Sequence, residues 1–195
     1  MVLHQISRRS LLRVLPAGCF GCAAAVSCGA QATVPAHSAS EKCDLTWEEL
    51  FRFAYQKDLI PMLKGLAAQI GREKFVQMIQ DVMGRLAEQG MARSPIPKRD
   101  FATFAANLRN VPPMMQHALQ YQVLEDGPQA LEYRVTGCLW AKSFLGQDAG
   151  DIGYAMVCSP DLAVARGFNP KLKLTRTQTL MQGGDSCHFR YTMEA

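Results

Sequence analysis

Three cysteines and one acid in the second half of the chain have side chains that suit nucleophilic or metal-dependent chemistry. Cys138, Cys158 and Cys187 are separated by 19 and 28 residues, and Asp161 follows Cys158 by three. A thiolate can attack an electrophilic carbon directly. Cysteines and an acid can instead hold a zinc ion that activates water. The spacing matches no standard zinc signature, so both kinds of site remain open from the residues alone.

The sequence around Cys158 predicts the start of a helix. Pro160 follows Ser159 and suits the first helical position. Cys158 and Asp161, three residues apart, can then face one pocket. Because a helix N-terminus lowers the pKa of a nearby thiol, we expect Cys158 to be the reactive thiol. We also expect Cys138, Cys158 and Cys187 to converge on that pocket with Asp161 beside them.

The adjacent pair Cys187 and His188 belongs to a predicted final strand over residues 186–193. Side chains alternate between the two faces of a strand, so Cys187 should point to the core and His188 away from it. The pair is therefore not predicted to form a catalytic dyad unless a bulge disturbs the strand near Gly183 and Gly184.

Arg176 lies on the apolar face of the preceding predicted strand, residues 171–181. A buried guanidinium needs a partner. One interpretation is a clamp for a substrate carboxylate, for which the fork of an arginine is suited. The other is an internal ion pair with Asp161 or another acid.

The elements that position these residues change character along the chain. Thr46 and Glu49 form a capping box, and helical periodicity follows through three segments, broken at Gly71 and by the prolines of residues 95–97. The face of the second helix is predicted to carry core residues, namely Phe75, Met78, Ile79, Val82, Met83 and Leu86. From about residue 120 the pattern alternates with period two. The prediction is an α+β domain, with a helical half followed by a mainly antiparallel sheet of about four strands and short crossing helices.

The second half resembles the L-2-amino-thiazoline-4-carboxylic acid hydrolase family. The resemblance rests on Cys138, on the run from Cys158 to Asp161, on Asn169-Pro170, and on the segments 176–180 and 184–189. The resemblance covers roughly residues 58–195 and is strongest after Cys138. The helical half shares with the family only its helical character and no specific motif.

The resemblance implies a hydrolase that opens a cyclic thiazoline amino acid to an N-carbamoyl amino acid, with a small-molecule substrate. One alternative is a non-catalytic small-molecule-binding domain with a structural zinc held by Cys138, Cys158, Cys187 and Asp161. A third interpretation is an α+β domain with a Cys138–Cys187 or Cys158–Cys187 disulfide.

The first 32 residues differ in composition from the rest and predict an export signal. Arg8-Arg9 precedes a small and apolar stretch without acids that ends in the A-x-A site at residues 30–32. The run around the two arginines resembles the twin-arginine motif, so the twin-arginine export machinery is a predicted partner and the periplasm the predicted location. A lipid anchor on Cys28 is the alternative. The stretch is too short and interrupted to span a membrane.

Removing the leader changes the charge argument. The formal net charge of +4 includes three arginines and no acid within residues 1–32, so the remainder carries +1. A net charge this small gives no reason to predict nucleic-acid binding. Residues 33–44 are small and polar and predict a flexible tether whose Cys43 has no assigned role. Residues 45–195 form the single predicted domain.

Overall fold

The computed structural model describes residues 45–194. The predicted leader, residues 1–32, and tether, residues 33–44, lie outside the described residues and stay predictions. Within residues 45–194, no helix is both long and apolar enough to cross a membrane.

The first half of the described chain is helical. Its elements in chain order are α1 (Trp47–Phe51), a π-helical segment (Arg52–Leu59), α2 (Ile60–Ile70), α3 (Arg72–Arg93), α4 (Phe101–Arg109) and α5 (Pro113–Ala118). The predicted capping box is confirmed, because Glu49 N–H donates to Thr46 Oγ1 and Thr46 N–H donates to Glu49. Gly71 separates α2 from α3 with a φ of 95°, as the predicted break requires. Asp100 caps α4 by accepting from Thr103 N–H.

Pro61 does not split the first helical segment. The chain stays helical from Trp47 to Ile70, and the turns before the proline are wider than those of an α-helix. Ile60 N–H donates to the carbonyl of Tyr55, five residues back. A π-helical stretch of this kind is one of the ways in which a helix adjusts its hydrogen bonds around a residue that cannot donate.

The sheet has four antiparallel strands in the order β1-β2-β4-β3. They are β1 (Leu119–Asp126), β2 (Ala130–Cys138), β3 (Leu172–Arg176) and β4 (Cys187–Met193). Gly127 closes the turn between β1 and β2 through a bond from its N–H to the Ala130 carbonyl. The α+β prediction, with its helical half and four-stranded antiparallel sheet, is confirmed.

Short helices cross between the strands. They are α6 (Leu139–Leu145), α7 (Gly150–Gly153), a π-helical segment (Tyr154–Cys158), α8 (Pro160–Phe168) and a 3-10 turn (Leu180–Gln182). The strand predicted over residues 171–181 is too long, because β3 ends at Arg176. The chain then turns through Thr179, whose hydroxyl accepts from Gln182 N–H.

Two clusters of buried side chains hold these layers together. The first joins α1, α2 and α3 to α6 and α7, and includes Phe51, Ile60, Phe75, Trp140, Phe144 and Ile152. The second joins one face of the sheet to α4 and α8, and includes Phe104, Leu131, Phe168, Leu172 and Tyr191. The predicted apolar face of the second helix, now α3, is only partly correct. Phe75 is buried, but Met78, Val82 and Leu86 are exposed.

Arg99 ties the ends of two helices together. It lies in the linker after α3, and its guanidinium donates to five backbone carbonyls, those of Met91, Ala92, Ser94, Gly167 and Phe168. The last carbonyls of a helix have no partner within the helix, so one cation can satisfy the ends of both α3 and α8.

These two helices also approach closely at Gly167. A Cβ atom at this position would lie 2.3 Å from the carbonyl oxygen of Glu88 on α3. That contact is with backbone, which cannot move aside as a side chain can. The close approach of α3 and α8 therefore depends on glycine at this position.

We expect Gly167→Ala to lower the free energy of unfolding by about 1–3 kcal/mol, because the added methyl group forces the two helices apart. The matched control is Gly84→Ala on α3, where a Cβ meets nothing within 4 Å. That change should raise the free energy of unfolding by up to about 1 kcal/mol through helix propensity. Urea denaturation of both variants measures the difference. Equal effects would contradict the close crossing.

Candidate functional site

Arg176 lies at the centre of the candidate site, at the end of β3. Its side chain is only 4% exposed. Nη1 donates to Asp161 Oδ2 at 2.7 Å and to the carbonyl of Cys158 at 2.9 Å, while Nη2 lies 3.4 Å from the Tyr154 hydroxyl. A guanidinium stays charged in proteins, so these contacts are what make its burial tolerable.

Aromatic rings frame this guanidinium. Its central carbon lies 5.3 Å from the centroid of Phe189 and 5.6 Å from that of Tyr154. Tyr133 stacks in turn on Phe189 with 4.8 Å between ring centroids. Cation–π contact adds to the stabilisation of the buried charge.

The internal ion pair, one of the two interpretations of Arg176, is present in the structure. A contact between Arg176 and a substrate carboxylate stays a prediction.

Asp161, in the first turn of α8, is the acid of the site. Burial raises its pKa to about 6, although the Arg176 charge and hydrogen bond act in the opposite direction. The side chain keeps 35% of its surface exposed, which moderates the effect of burial. A carboxyl group with a pKa in this range can exchange protons near neutral pH.

Cys158 does not lie at a free helix N-terminus. The chain is helical from Gly150 to Phe168, and Ser159 has helical dihedral angles and offers no side-chain cap. Burial raises the pKa of Cys158 to about 12, with the Asp161 charge acting in the same direction. The predicted lowering of this pKa is therefore wrong, because the helix that should lower it continues past the cysteine.

Cys187 and Cys138 both accept a hydrogen bond from backbone. Cys187 Sγ lies 3.1 Å from Leu180 N, and Cys138 Sγ lies 3.4 Å from Ala141 N at the start of α6. Burial raises the pKa of each thiol despite these bonds. Cys187 is 7% exposed and points to the core, as predicted.

The charge of Asp161 contributes to the raised pKa of each of the three thiols, and Cys187 contributes to that of Cys138. All three are free, so neither predicted disulfide is present among the described cysteines. The side chains nevertheless do not form a metal centre, because the described residues contain no group of three or more His, Cys, Asp or Glu side chains arranged to hold a metal ion. The zinc alternative at Cys138, Cys158, Cys187 and Asp161 does not fit this geometry.

His188 lies on the opposite face of the sheet, as predicted. Its Nε2 lies 2.7 Å from Glu132 Oε1, and Arg190 binds the same Glu132. These polar side chains form a partly exposed network on the sheet face remote from α8. His188 therefore has no contact with the thiols that would make it their base.

Sequence reasoning missed the aromatic part of the site. Strand alternation places Tyr133 and Phe189 on the inward face of their strands with Cys187, but neither was assigned to the site from the sequence. Burial raises the pKa of Tyr133, and Asp161 acts in the same direction. Tyr154 lies in a π-helical segment, where neither helical nor strand periodicity gives a signal.

Fold and site together define the protein as an α+β domain that holds free thiols, a carboxyl group whose pKa is raised by burial, and a buried arginine. The model of the L-2-amino-thiazoline-4-carboxylic acid hydrolase family matches residues 49–191, which is most of the chain. The chain belongs to this family. The match begins at residue 49 and so includes the helical half, which the sequence resemblance had linked to the family only in kind. No curated protein matches the chain.

The ion pair at Asp161 predicts a large effect on stability. Asp161→Ala leaves the buried Arg176 charge uncompensated, so we expect the free energy of unfolding to fall by about 3–5 kcal/mol. The control is Asp126→Ala, which breaks an exposed pair with Arg109 and should cost less than about 1 kcal/mol. Urea denaturation at neutral pH measures both. A similar small loss in the two variants would contradict the buried pair.

Proposed function

We propose that the protein is a hydrolase that opens a cyclic amidine amino acid of the 2-amino-thiazoline-4-carboxylate type, giving an N-carbamoyl amino acid. Membership of the family supports a hydrolase of this kind. The observation that carries the proposal is that three thiols are free and that each is influenced electrostatically by Asp161, whose own pKa is raised to about 6 by burial. This combination supplies a nucleophile and a proton acceptor.

The overall reaction adds one water molecule and releases no other product. The reacting atom is the ring carbon that is bonded to two nitrogens and to the ring sulfur. This carbon gains the water oxygen. Its bond to the ring sulfur breaks, and that sulfur takes up a proton to become a thiol. The two nitrogens remain on the same carbon, which becomes the carbonyl of a carbamoyl group.

A protein thiol can divide this reaction into two easier steps. In the first step the protein sulfur bonds to the amidine carbon, the carbon–ring sulfur bond breaks, and the proton lost by the protein thiol reaches the ring sulfur. The intermediate is an isothiourea attached to the protein. In the second step water attacks the same carbon, and the protein sulfur leaves and regains a proton.

Asp161 suits the second step. Its carboxylate can take a proton from the attacking water and return it to the departing protein sulfur. Arg176 holds this carboxylate at 2.7 Å and anchors the carbonyl of Cys158, so it acts as a positioning residue. Cys138, Cys158 and Cys187 supply the nucleophile and the thiol surroundings of the reacting carbon.

The thiols provide a direct test with purified protein and 2-amino-2-thiazoline-4-carboxylate. We expect Cys→Ser at position 138, 158 or 187 to reduce N-carbamoylcysteine formation, and at the nucleophile by on the order of 1000-fold or more. His188→Gln, on the opposite sheet face, should retain most turnover. Intact-protein mass spectrometry during turnover should show the isothiourea adduct. Full activity of all three serine variants would exclude thiol catalysis.

The role of Asp161 predicts a pH dependence. A general base works in its unprotonated form, so kcat/KM should rise as pH increases through about 6, the pKa to which burial raises Asp161. Asp161→Asn keeps the shape and a hydrogen-bond acceptor but cannot take the proton, so the rise should disappear together with most of the activity. An unchanged pH profile in the asparagine variant would remove Asp161 from this role.

A further inference from the structure

Cys138 lines an open cleft. This cleft has a volume of 520 Å³ and lies among α1, α6, the end of β2 and the loop after the 3-10 turn. Its lining includes Glu48, His117, Gln120, Cys138, Lys142 and Gly184. Sites for small molecules commonly have volumes of about 300–1,000 Å³. A compact cyclic amino acid therefore fits this space.

The loop that closes one side of the cleft is fixed by internal bonds. Gly183 has a φ of 87°, a conformation that glycine adopts without strain. Gly184 N–H donates to the carbonyl of Thr179, and Gln178 Nε2 donates to Ser186 Oγ. The loop thus presents backbone, rather than long side chains, to a bound molecule.

Leu180 connects the cleft with the interior thiols. It lines the cleft, and its N–H donates to Cys187 Sγ at 3.1 Å. Cys187 also contributes to the raised pKa of Cys138. A molecule in the cleft therefore lies beside Cys138 and beside Leu180, whose backbone binds Cys187.

His117 lies at the same cleft. It belongs to α5, and its ring stacks on Trp47 of α1 with 4.9 Å between centroids and 13° between planes. Leu119, two residues further on, pairs with Cys138 in the sheet. This pairing brings the end of α5 next to the end of β2. The stack on Trp47 restricts the orientation of the imidazole.

We propose that Cys138 is the sulfur that attacks the substrate and that His117 is the base that takes its proton, with the cyclic amidine held in the cleft. The inference rests on the proposed function and deepens it, because it names the reacting sulfur and its base. It replaces Cys158 as the expected nucleophile. Cys158 then serves through its carbonyl, which accepts from Arg176.

The chemistry of the cleft explains why a base is needed. Burial raises the pKa of Cys138, so at neutral pH the sulfur carries its proton until another group removes it. An imidazole is the side chain best suited to accept a proton at that pH. His117 takes the proton as the bond between sulfur and the amidine carbon forms. It then gives this proton to the ring sulfur as that bond breaks.

The charged groups at the cleft suit a substrate with a carboxylate. Lys142 Nζ lies 2.8 Å from Glu48 Oε1, and both side chains are largely exposed at the rim. Lys142 can therefore exchange its partner for a carboxylate of the substrate at little cost. Glu48, Lys142, Cys138 and His117 are the titratable groups that line the cleft.

The proposal is tested by the rate at which iodoacetamide alkylates Cys138, measured by peptide mass spectrometry from pH 5 to 9. We expect His117→Gln to slow alkylation at pH 7 by about 10-fold or more and to move the rise in rate to higher pH. His117→Phe keeps a ring to stack on Trp47 and should give the same result. His188→Gln, which removes an imidazole from the other sheet face, should match the wild type.

Equal alkylation rates in the wild type and both His117 variants would overturn the Cys138–His117 pair. Substrate should also protect Cys138 from alkylation, and failure of 2-amino-2-thiazoline-4-carboxylate to do so would overturn its placement in the cleft. Alkylation that depends on His117 in a protein without ring-opening activity would support the pair and contradict the proposed function. The two proposals can thus fail separately.

Discussion

The buried ion pair between Arg176 and Asp161 is the interaction on which the site depends. Arg176 comes from the end of β3 and Asp161 from the first turn of α8. The ion pair therefore fixes the position of the start of α8 relative to the end of β3. A buried charge needs nearly complete compensation, and only a narrow range of positions provides it. The same guanidinium also binds the Cys158 carbonyl and contacts Phe189, so the geometry of a thiol, an acid and an aromatic ring follows from one requirement. Stability and the arrangement of reactive groups are therefore coupled here.

The two faces of the sheet differ in the residues they carry and in how far these are buried. The inward face carries Leu131, Tyr133 and Tyr191 against α4 and α8, whereas the outward face carries charged pairs centred on Glu132. Arg190 on the outward face stays partly exposed, and exposed ion pairs contribute little to stability. Loss of water raises the pKa values of Cys187 on the inward face and of Cys158 and Asp161 on the helical segments. Strand alternation alone thus separates Cys187 from His188, although they are neighbours in sequence.

The parts of the structure that were predictable from sequence are those governed by local rules. Capping rules explain the Thr46 cap, and the dihedral freedom of glycine explains the break at Gly71. Strand alternation explains the inward direction of Cys187, and the order of helical and strand patterns explains the α+β class.

Local rules failed where tertiary contacts decide the structure. Nothing near Met78 or Leu86 in sequence shows that these residues of α3 stay exposed. Pro160 correctly marked helical geometry, but no local signal showed that the helix begins at Gly150 and carries Cys158 inside it. The cleft beside Cys138 depends on Trp47 and His117, which come from elements remote in sequence.

The geometry of the site requires a fixed number of residues in the π-helical segment Tyr154–Cys158. Ser159 N–H donates to the carbonyl of Tyr154, five residues back, where an α-helix would use the residue four back. The helical turns on either side are therefore out of phase by one residue, which corresponds to about 100° of rotation. Deleting a single residue here would restore a regular helix and turn Tyr154 away from Arg176 if α8 kept its place. We infer that relatives with this site tolerate substitutions in the segment far better than insertions or deletions, so its length is a more informative marker of the site than its composition.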